Sequence, residues 1–259
     1  MLSNDSCNSK KIKIRYFSDL HLEFLNIKNV ELLIKNIPPS ENEICILAGD
    51  IGNPYQPQYD IFMEFISKVF IKTFVISGNH EYYNKKQTIQ QTNDFLKEYY
   101  KKFDNISYLN NTFEYYKNYC FIGTTLWSKI TNPVYNINDT KCIPSFNYIK
   151  YNELHESCVK FLENALENNN NCIIITHHVP SFTLVDKKYK TPSMLPYNQW
   201  FNCDMDELIE KEKDNIKCWI YGHTHTPSST IINEIPFVCN PIGYPNENNK
   251  LDFGKNIIL

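Results

Sequence analysis

Six of the seven histidines of this chain fall in four short clusters, each following an apolar run. They read Asp19-Leu20-His21, Gly78-Asn79-His80-Glu81, Thr176-His177-His178 and Gly222-His223-Thr224-His225. A fifth cluster, Gly49-Asp50, has no histidine but closes another apolar run. Imidazole and carboxylate are ordinary ligands for divalent metals of intermediate softness. A lone histidine is usually a satisfied structural residue, and His155, inside an expected helix, is read that way. Chance does not align five clusters with strand ends, so together they point to a hydrolytic centre built on two metal ions.

The elements that must position these residues can be read from the hydrophobic pattern. Strand-like runs occur at Ile12–Phe17, Ile44–Ala48, Phe74–Ser77, Cys120–Thr124, Cys172–Thr176 and Cys218–Tyr221, with a hairpin pair at Thr230–Ile232 and Pro236–Cys239. Helical stripes lie between them at Asn29–Asn36, Tyr59–Phe70, Thr88–Phe103 and Glu153–Glu167, with a shorter one at Asp206–Lys211. Strands alternating with helices, then consecutive strands, predict an α/β sandwich of two mixed sheets packed between helices. In open α/β sheets ligands bind beyond the carboxyl ends of the strands, and each cluster sits at such an end. Period-two alternation in Asp19-Leu20-His21 and His223-Thr224-His225 sends the outer pair to one side. Of only seven glycines, Gly49, Gly78 and Gly222 lie in the clusters, where tight turns and close backbone approach are needed.

Composition narrows the function classes. A net charge of −3 and a pI near 6.2 give no general attraction to nucleic acid or anionic membrane. Arg15 is the only arginine, so the usual bidentate phosphate clamp is scarce. Nine cysteines without a C-x-x-C pair read as buried, reduced thiols rather than a disulfide or zinc framework. Residues 1–10 read as a polar N-terminal extension without signal-peptide character, and 11–259 as a single domain. No run approaches the ~18 apolar residues of a membrane span, and the expected location is the cytoplasm. Two stretches, Ser128–Lys150 and Ser181–Asp204, mix Pro, Asn and aromatics and resist assignment; they are binding or lid segments, or ordinary surface excursions.

The ordered set D-x-H, G-D, G-N-H-E, H-H-x-P and G-H-x-H, running from Asp19 to His225, resembles the calcineurin-like metallophosphoesterase superfamily. The later Val238-Cys239-Asn240-Pro241 is similar to bacterial members. The resemblance implies a double-sheet sandwich and a dinuclear centre. Asp19, His21 and His225 would hold the first metal, Asn79, His177 and His223 the second, and Asp50 would bridge both. His178 is the alternative to His177. A ligand set of nitrogen and oxygen without thiolate suits Mn²⁺, Fe or Zn²⁺. In relatives the histidine at the position of His80 contacts substrate, so His80 is expected to stabilise the transition state and protonate the leaving oxygen. Glu81 is expected to orient His80 or cap the following helix, without a catalytic role.

The expected activity is metal-dependent hydrolysis of a phosphomonoester or phosphodiester, small or nucleotide-like, by in-line attack of water activated at the metals. Protein phosphatases of the superfamily carry arginines after G-D, whereas Ile51-Gly52-Asn53-Pro54 follows Asp50 here, which disfavours that branch. Ile242 stands where similar bacterial sequences often have arginine. Lys187-Lys188-Tyr189-Lys190 can meet a polyanion or form a solvated surface; Tyr82, Tyr83, Trp127, Tyr197 and Trp200 can stack on a base or close the core. A nuclease of the same superfamily and a non-catalytic protein-binding scaffold are the alternatives. The acidic balance weighs against the first and the complete ligand set against the second; no protein or membrane partner is expected.

Overall fold

The structure, a computed structural model, describes residues 11–40, 42–132, 137–247 and 251–259, so the polar extension 1–10 lies outside it. In chain order the elements are β1 (Lys13–Phe17), α1 (Ile27–Lys35), β2 (Ile44–Ala48), α2 (Pro57–Val69), β3 (Lys72–Ile76), α3 (Ile89–Tyr100), β4 (Ile106–Tyr108), β5 (Thr112–Tyr116) and β6 (Tyr119–Thr124). They continue with α4 (Asn138–Cys142), α5 (Tyr148–Glu167), β7 (Cys172–Thr176), α6 (Leu195–Asn198), α7 (Asp206–Lys211), β8 (Ile216–Ile220), β9 (Ser228–Ile232), β10 (Ile235–Cys239) and β11 (Asn256–Ile258).

Strands buried on both faces, such as Ile44–Ala48 and Cys172–Thr176, pair in parallel, as near-continuous apolar runs do. One sheet has the order β11-β1-β2-β3-β4 and the other β5-β6-β7-β8-β10-β9. β11, β5 and β9 are the antiparallel edges, so both sheets are mixed. Alternation along each strand sends one set of side chains between the sheets, where Ile14, Ile46 and Phe74 meet Phe121, Ile173 and Ile220. The other set faces the helices. Leu47 and Val75 pack with Leu33 of α1, Phe62 of α2 and Leu96 of α3, while Ile174 and Trp219 pack with Tyr151 and Leu162 of α5. The result is the expected α/β sandwich of two mixed sheets between helices.

The hairpin closes through Asn233 and Glu234, both at positive φ (51° and 66°), as a two-residue turn of this hand requires. α5 begins at Tyr148, earlier than the apolar stripe predicts, because the Asn147 side chain accepts from the Ile149 and Lys150 amides. Part of Ser128–Lys150 is therefore helical, and Ser181–Asp204 contains α6 and two tight turns at Phe182–Leu184 and Lys187–Tyr189. No helix among the described residues is long and apolar enough to cross a membrane.

The single arginine is structural. Arg15, buried on β1, pairs with buried Glu43 and donates to the carbonyls of Pro38 (2.6 Å) and Pro39 (3.4 Å), far from a phosphate-clamp role. Removing one partner of a buried pair leaves an uncompensated charge, at a cost of about 3–5 kcal/mol. Glu43→Ala should therefore lower the urea unfolding midpoint by an amount corresponding to about 3–5 kcal/mol; an unchanged midpoint would show that water reaches the guanidinium.

Candidate metal centre

The parallel strands of both sheets end on one side of the molecule, and the five clusters meet there. Asp19 follows β1, Asp50 follows β2, Asn79 follows β3, His177 follows β7 and His223 follows β8. Backbone bonds tie the loops together: Asp19 N–H donates to the Gly49 carbonyl (3.0 Å), His21 N–H to that of Asp50 (3.0 Å), and Gly222 N–H to that of His177 (3.1 Å). The crowding explains two glycines. A Cβ on Gly78 would lie 2.2 Å from Asp50 Oδ1, and one on Gly49 would lie 2.6 Å from both the Gly78 amide nitrogen and His177 Nδ1.

The pairing of Asp19 with His21 and of His223 with His225 does not arise from strand alternation, as expected from spacing. Asp19, His21, Asp50, His223 and His225 all sit at positive φ, between 47° and 67°. Left-handed backbone is costly for non-glycine residues and concentrates where surrounding structure enforces it, commonly at functional sites. Left-handed turns, not a pleat, point these side chains inward.

Asp19, His21 and His225 form one buried group, Asp50, His177 and the half-buried His223 a second, and His21 and Asp50 a third with His80, each with its ligand atoms within 4.8 Å of one another. Asn79 Oδ1 lies 3.1 Å from His177 Nε2, which joins it to the second group. Asp50 Oδ2 stands between the groups, 3.3 Å from His177 Nε2 and 3.9 Å from His21 Nε2. The seven side chains named from the sequence as ligands thus converge.

Outer partners fix how these rings point. His177 Nδ1 donates to the Ala48 carbonyl (3.0 Å), turning Nε2 inward. His21 Nδ1 faces Glu23 Oε1 (3.1 Å), and His225 Nδ1 faces Glu247 Oε2 (2.6 Å). With each Nδ1 turned outward to a carboxylate, the two Nε2 atoms of His21 and His225 meet at 3.0 Å. Two Nε2 atoms turned inward beside Asp19 and Asp50 can both ligate one cation. His223 Nε2 is buried without a hydrogen-bond partner among the described residues. Asp139, buried, accepts from Asn79 Nδ2 (2.9 Å) and Tyr83 Oη (2.7 Å), leaving Asn79 Oδ1 to face inward. The donor set therefore fits two divalent ions. Among the described residues no cysteine belongs to these groups, and no lysine or arginine lines the two cavities that meet at His80.

Protonation follows the same field. Burial opposes charge on His177, but the Asp50 carboxylate overrides it and raises the ring to about 9. Burial likewise opposes charge on His80, which Asp50 and Glu23 raise to about 9. Asp50 is held well below the usual carboxylate range, against burial, by His177 and His80. The acids here attract positive charge.

His80 lies beside both groups. Its Nδ1 faces Glu23 Oε1 (2.8 Å), its Nε2 faces Tyr244 Oη (3.0 Å), and its backbone N–H donates to Asp50 Oδ1 (2.8 Å). Glu81 neither orients His80 nor caps a helix. Its buried carboxylate accepts from the amides of Gly78 (2.6 Å), Ile51 (2.8 Å), Asp50 (3.1 Å) and Gly52 (3.3 Å), pinning the Asp50 loop to the Asn79 loop. Burial and the nearby Asp50 raise it to about 7.

His178 faces away from the ligand groups. Its Nε2 is bonded to Tyr151 Oη (3.0 Å), its Nδ1 lies 3.2 Å from the Thr125 carbonyl, and its ring packs on His223 at 4.5 Å. Burial and His177 lower it to about 3, so it packs as a neutral ring. Tyr82, Trp127 and Trp200 are core residues, whereas Tyr83 packs on His80 at 4.2 Å and Tyr197 is exposed. Lys188 and Lys190 fold back over Tyr189 and Phe182, as a surface run does. Ile242 packs among apolar residues near Leu20 and offers no charge to phosphate.

Sequence reasoning missed Glu23, Asp139, Tyr244 and Glu247. Glu23, Asp139 and Glu247 add acidity around the centre, since each is one hydrogen bond from a ligand residue. Glu23, two residues after His21, was legible as a carboxylate in the same loop. Asp139 and Glu247 lie in patternless segments that gave no signal.

The calcineurin-like phosphoesterase family model matches residues 12–227. A protein of Acanthamoeba polyphaga mimivirus with no described activity is 31% identical, over 92% of this chain and 94% of its own. A probable cyclic nucleotide phosphodiesterase from Coxiella burnetii is 26% identical, over 91% and 85%. Among solved structures, the phosphopantetheinyl hydrolase of Mycobacterium tuberculosis shares the fold, with a TM-score of 0.69, 17% identity and 92% of each chain covered.

Proposed function

The chain belongs to the calcineurin-like phosphoesterase family, and from that premise we propose that it hydrolyses a small or nucleotide-like phosphoester at a dinuclear metal centre. Asp19, His21 and His225 would hold one ion, Asn79, His177 and His223 the other, and Asp50 would serve both. Mn²⁺, Fe or Zn²⁺ suits this nitrogen and oxygen set. Such a pair supplies an acidified water and neutralises the phosphoryl oxygens. The observation that carries the proposal is the inward approach of His21 Nε2 and His225 Nε2, at 3.0 Å, beside Asp19 and Asp50.

The chain's own contribution beyond ligation centres on His80. Its Nδ1–H is held by Glu23, and its Nε2 faces the cavity, where it donates a proton to the leaving ester oxygen as the P–O bond breaks. Glu23 stabilises the imidazolium before transfer. Its own carboxyl is kept below the usual range, against burial, by its bonds to His21 and His80. Residues 11–259 act as one unit in this reading, and the free, mostly buried cysteines fit a reducing cytoplasm.

The test is hydrolysis by Mn²⁺-loaded protein of a monoester, an acyclic diester, a cyclic nucleotide and a single-stranded nucleic acid. The expected outcome is chelator-sensitive hydrolysis of a small ester, without the steep salt dependence that phosphate-backbone binding brings. Absence of ester hydrolysis, or preference for the strand, overturns it.

A further inference from the structure

Among the described residues two cavities meet at His80, and the linings they share are His80 and Tyr244. The first, about 170 Å³, has Asp50, His223 and His225 at one end and walls of Val179, Val185, Tyr189, Met194 and Phe201. Its apolar wall comes largely from the Ser181–Asp204 stretch. The second, about 550 Å³, is lined by Glu23, Phe24, Tyr83, Cys142 and Pro245. Tyr244 divides them. Its hydroxyl is 3.0 Å from His80 Nε2, and its ring lies 4.6 Å from His21 and 4.6 Å from His225. Glu247 fixes the divider, accepting from the Tyr244 amide (2.9 Å) as well as from His225.

A monoester carries one organic group and needs one cavity. A cyclic diester has both ester oxygens in one ring, so its organic part also leaves the phosphorus on one side. The first cavity is below the roughly 300–1,000 Å³ of a pocket for a whole small ligand, so it suits one arm of a substrate rather than the substrate. Unlike cavities that meet at the proton donor match two unlike arms diverging from one phosphorus.

Resting on the phosphoesterase reading above, we propose that the substrate is an acyclic phosphodiester. A compact apolar or aryl arm enters the Met194 cavity and a larger arm enters the Cys142 cavity. Tyr244 is the specificity-determining residue between them, and its hydroxyl gives up His80 Nε2 to the ester oxygen. Water adds to phosphorus and gives up a proton to solvent, one P–O ester bond breaks, that arm departs as an alcohol carrying the proton from His80, and His80 is reprotonated from solvent. The other arm leaves as a phosphomonoester.

The experiment compares kcat/KM of the Mn²⁺-loaded full chain on bis(p-nitrophenyl) phosphate, p-nitrophenyl phosphate and cyclic AMP. The acyclic diester should exceed both others by at least about tenfold, the scale of discrimination that filling an apolar pocket gives. Met194→Trp and Cys142→Trp each fill one cavity from a half-buried position. Each should lower the diester value by about tenfold or more and reduce the diester-to-monoester ratio in at least one case. Met194→Phe and Cys142→Phe make the same test with less added volume if a Trp variant fails to fold. Preference for the monoester or cyclic AMP, or wild-type diester turnover in both filled variants, overturns the proposal. Failure to hydrolyse any of the three esters instead overturns the phosphoesterase reading on which it rests.

Discussion

Asp50→Asn should reduce ester hydrolysis to the no-enzyme background. Asp50 contributes to two of the three inward-facing groups, and its Oδ2 lies between His177 and His21. The substitution keeps the shape of the side chain and an acceptor for the His80 amide while removing the one carboxylate placed to serve both ions. Glu81 continues to hold the loop through its four amide contacts, so the metal-free fold should survive. Circular dichroism and thermal unfolding of metal-free protein check the fold, since bound metal would itself raise apparent stability. Activity near that of the wild type would remove Asp50 from the centre.

His80→Ala should separate chemistry from metal binding. Loss of a general acid costs about 10²–10⁴ in rate, so kcat should fall in that range while metal content stays at two ions per chain. Both ring nitrogens of His80 already have protein partners, Glu23 and Tyr244, although His80 also lies within 4.8 Å of His21 and Asp50 ligand atoms. Metal analysis decides between the two readings. A fall to one ion per chain would make His80 a ligand.

Much of the centre was legible because parallel strands impose order on sequence. A strand ending in Gly49-Asp50 and another ending in Thr176-His177 deliver their next residues to the same edge, whatever lies between. The short edge strands were not legible: β11 has three residues, and β5 is largely exposed without apolar alternation. The inward turn of Asp19 and His21 was attributed to a pleat, because left-handed backbone leaves no mark in residues other than glycine. Partners such as Asp139 and Glu247 depend on tertiary approach across 60 and 22 residues, which no local pattern encodes. His177 and His178 are adjacent and alike in sequence; only the Ala48 carbonyl on one and the Tyr151 hydroxyl on the other tell them apart.

The most direct measurement is anomalous diffraction from crystals grown with Mn²⁺, recorded on both sides of the manganese edge. Two peaks about 3.5–4 Å apart are predicted, the spacing of two-metal hydrolases. One should touch Asp19, His21 and His225, the other Asn79, His177 and His223, with Asp50 touching both. A single peak, or density that avoids Asp50, would contradict the dinuclear account.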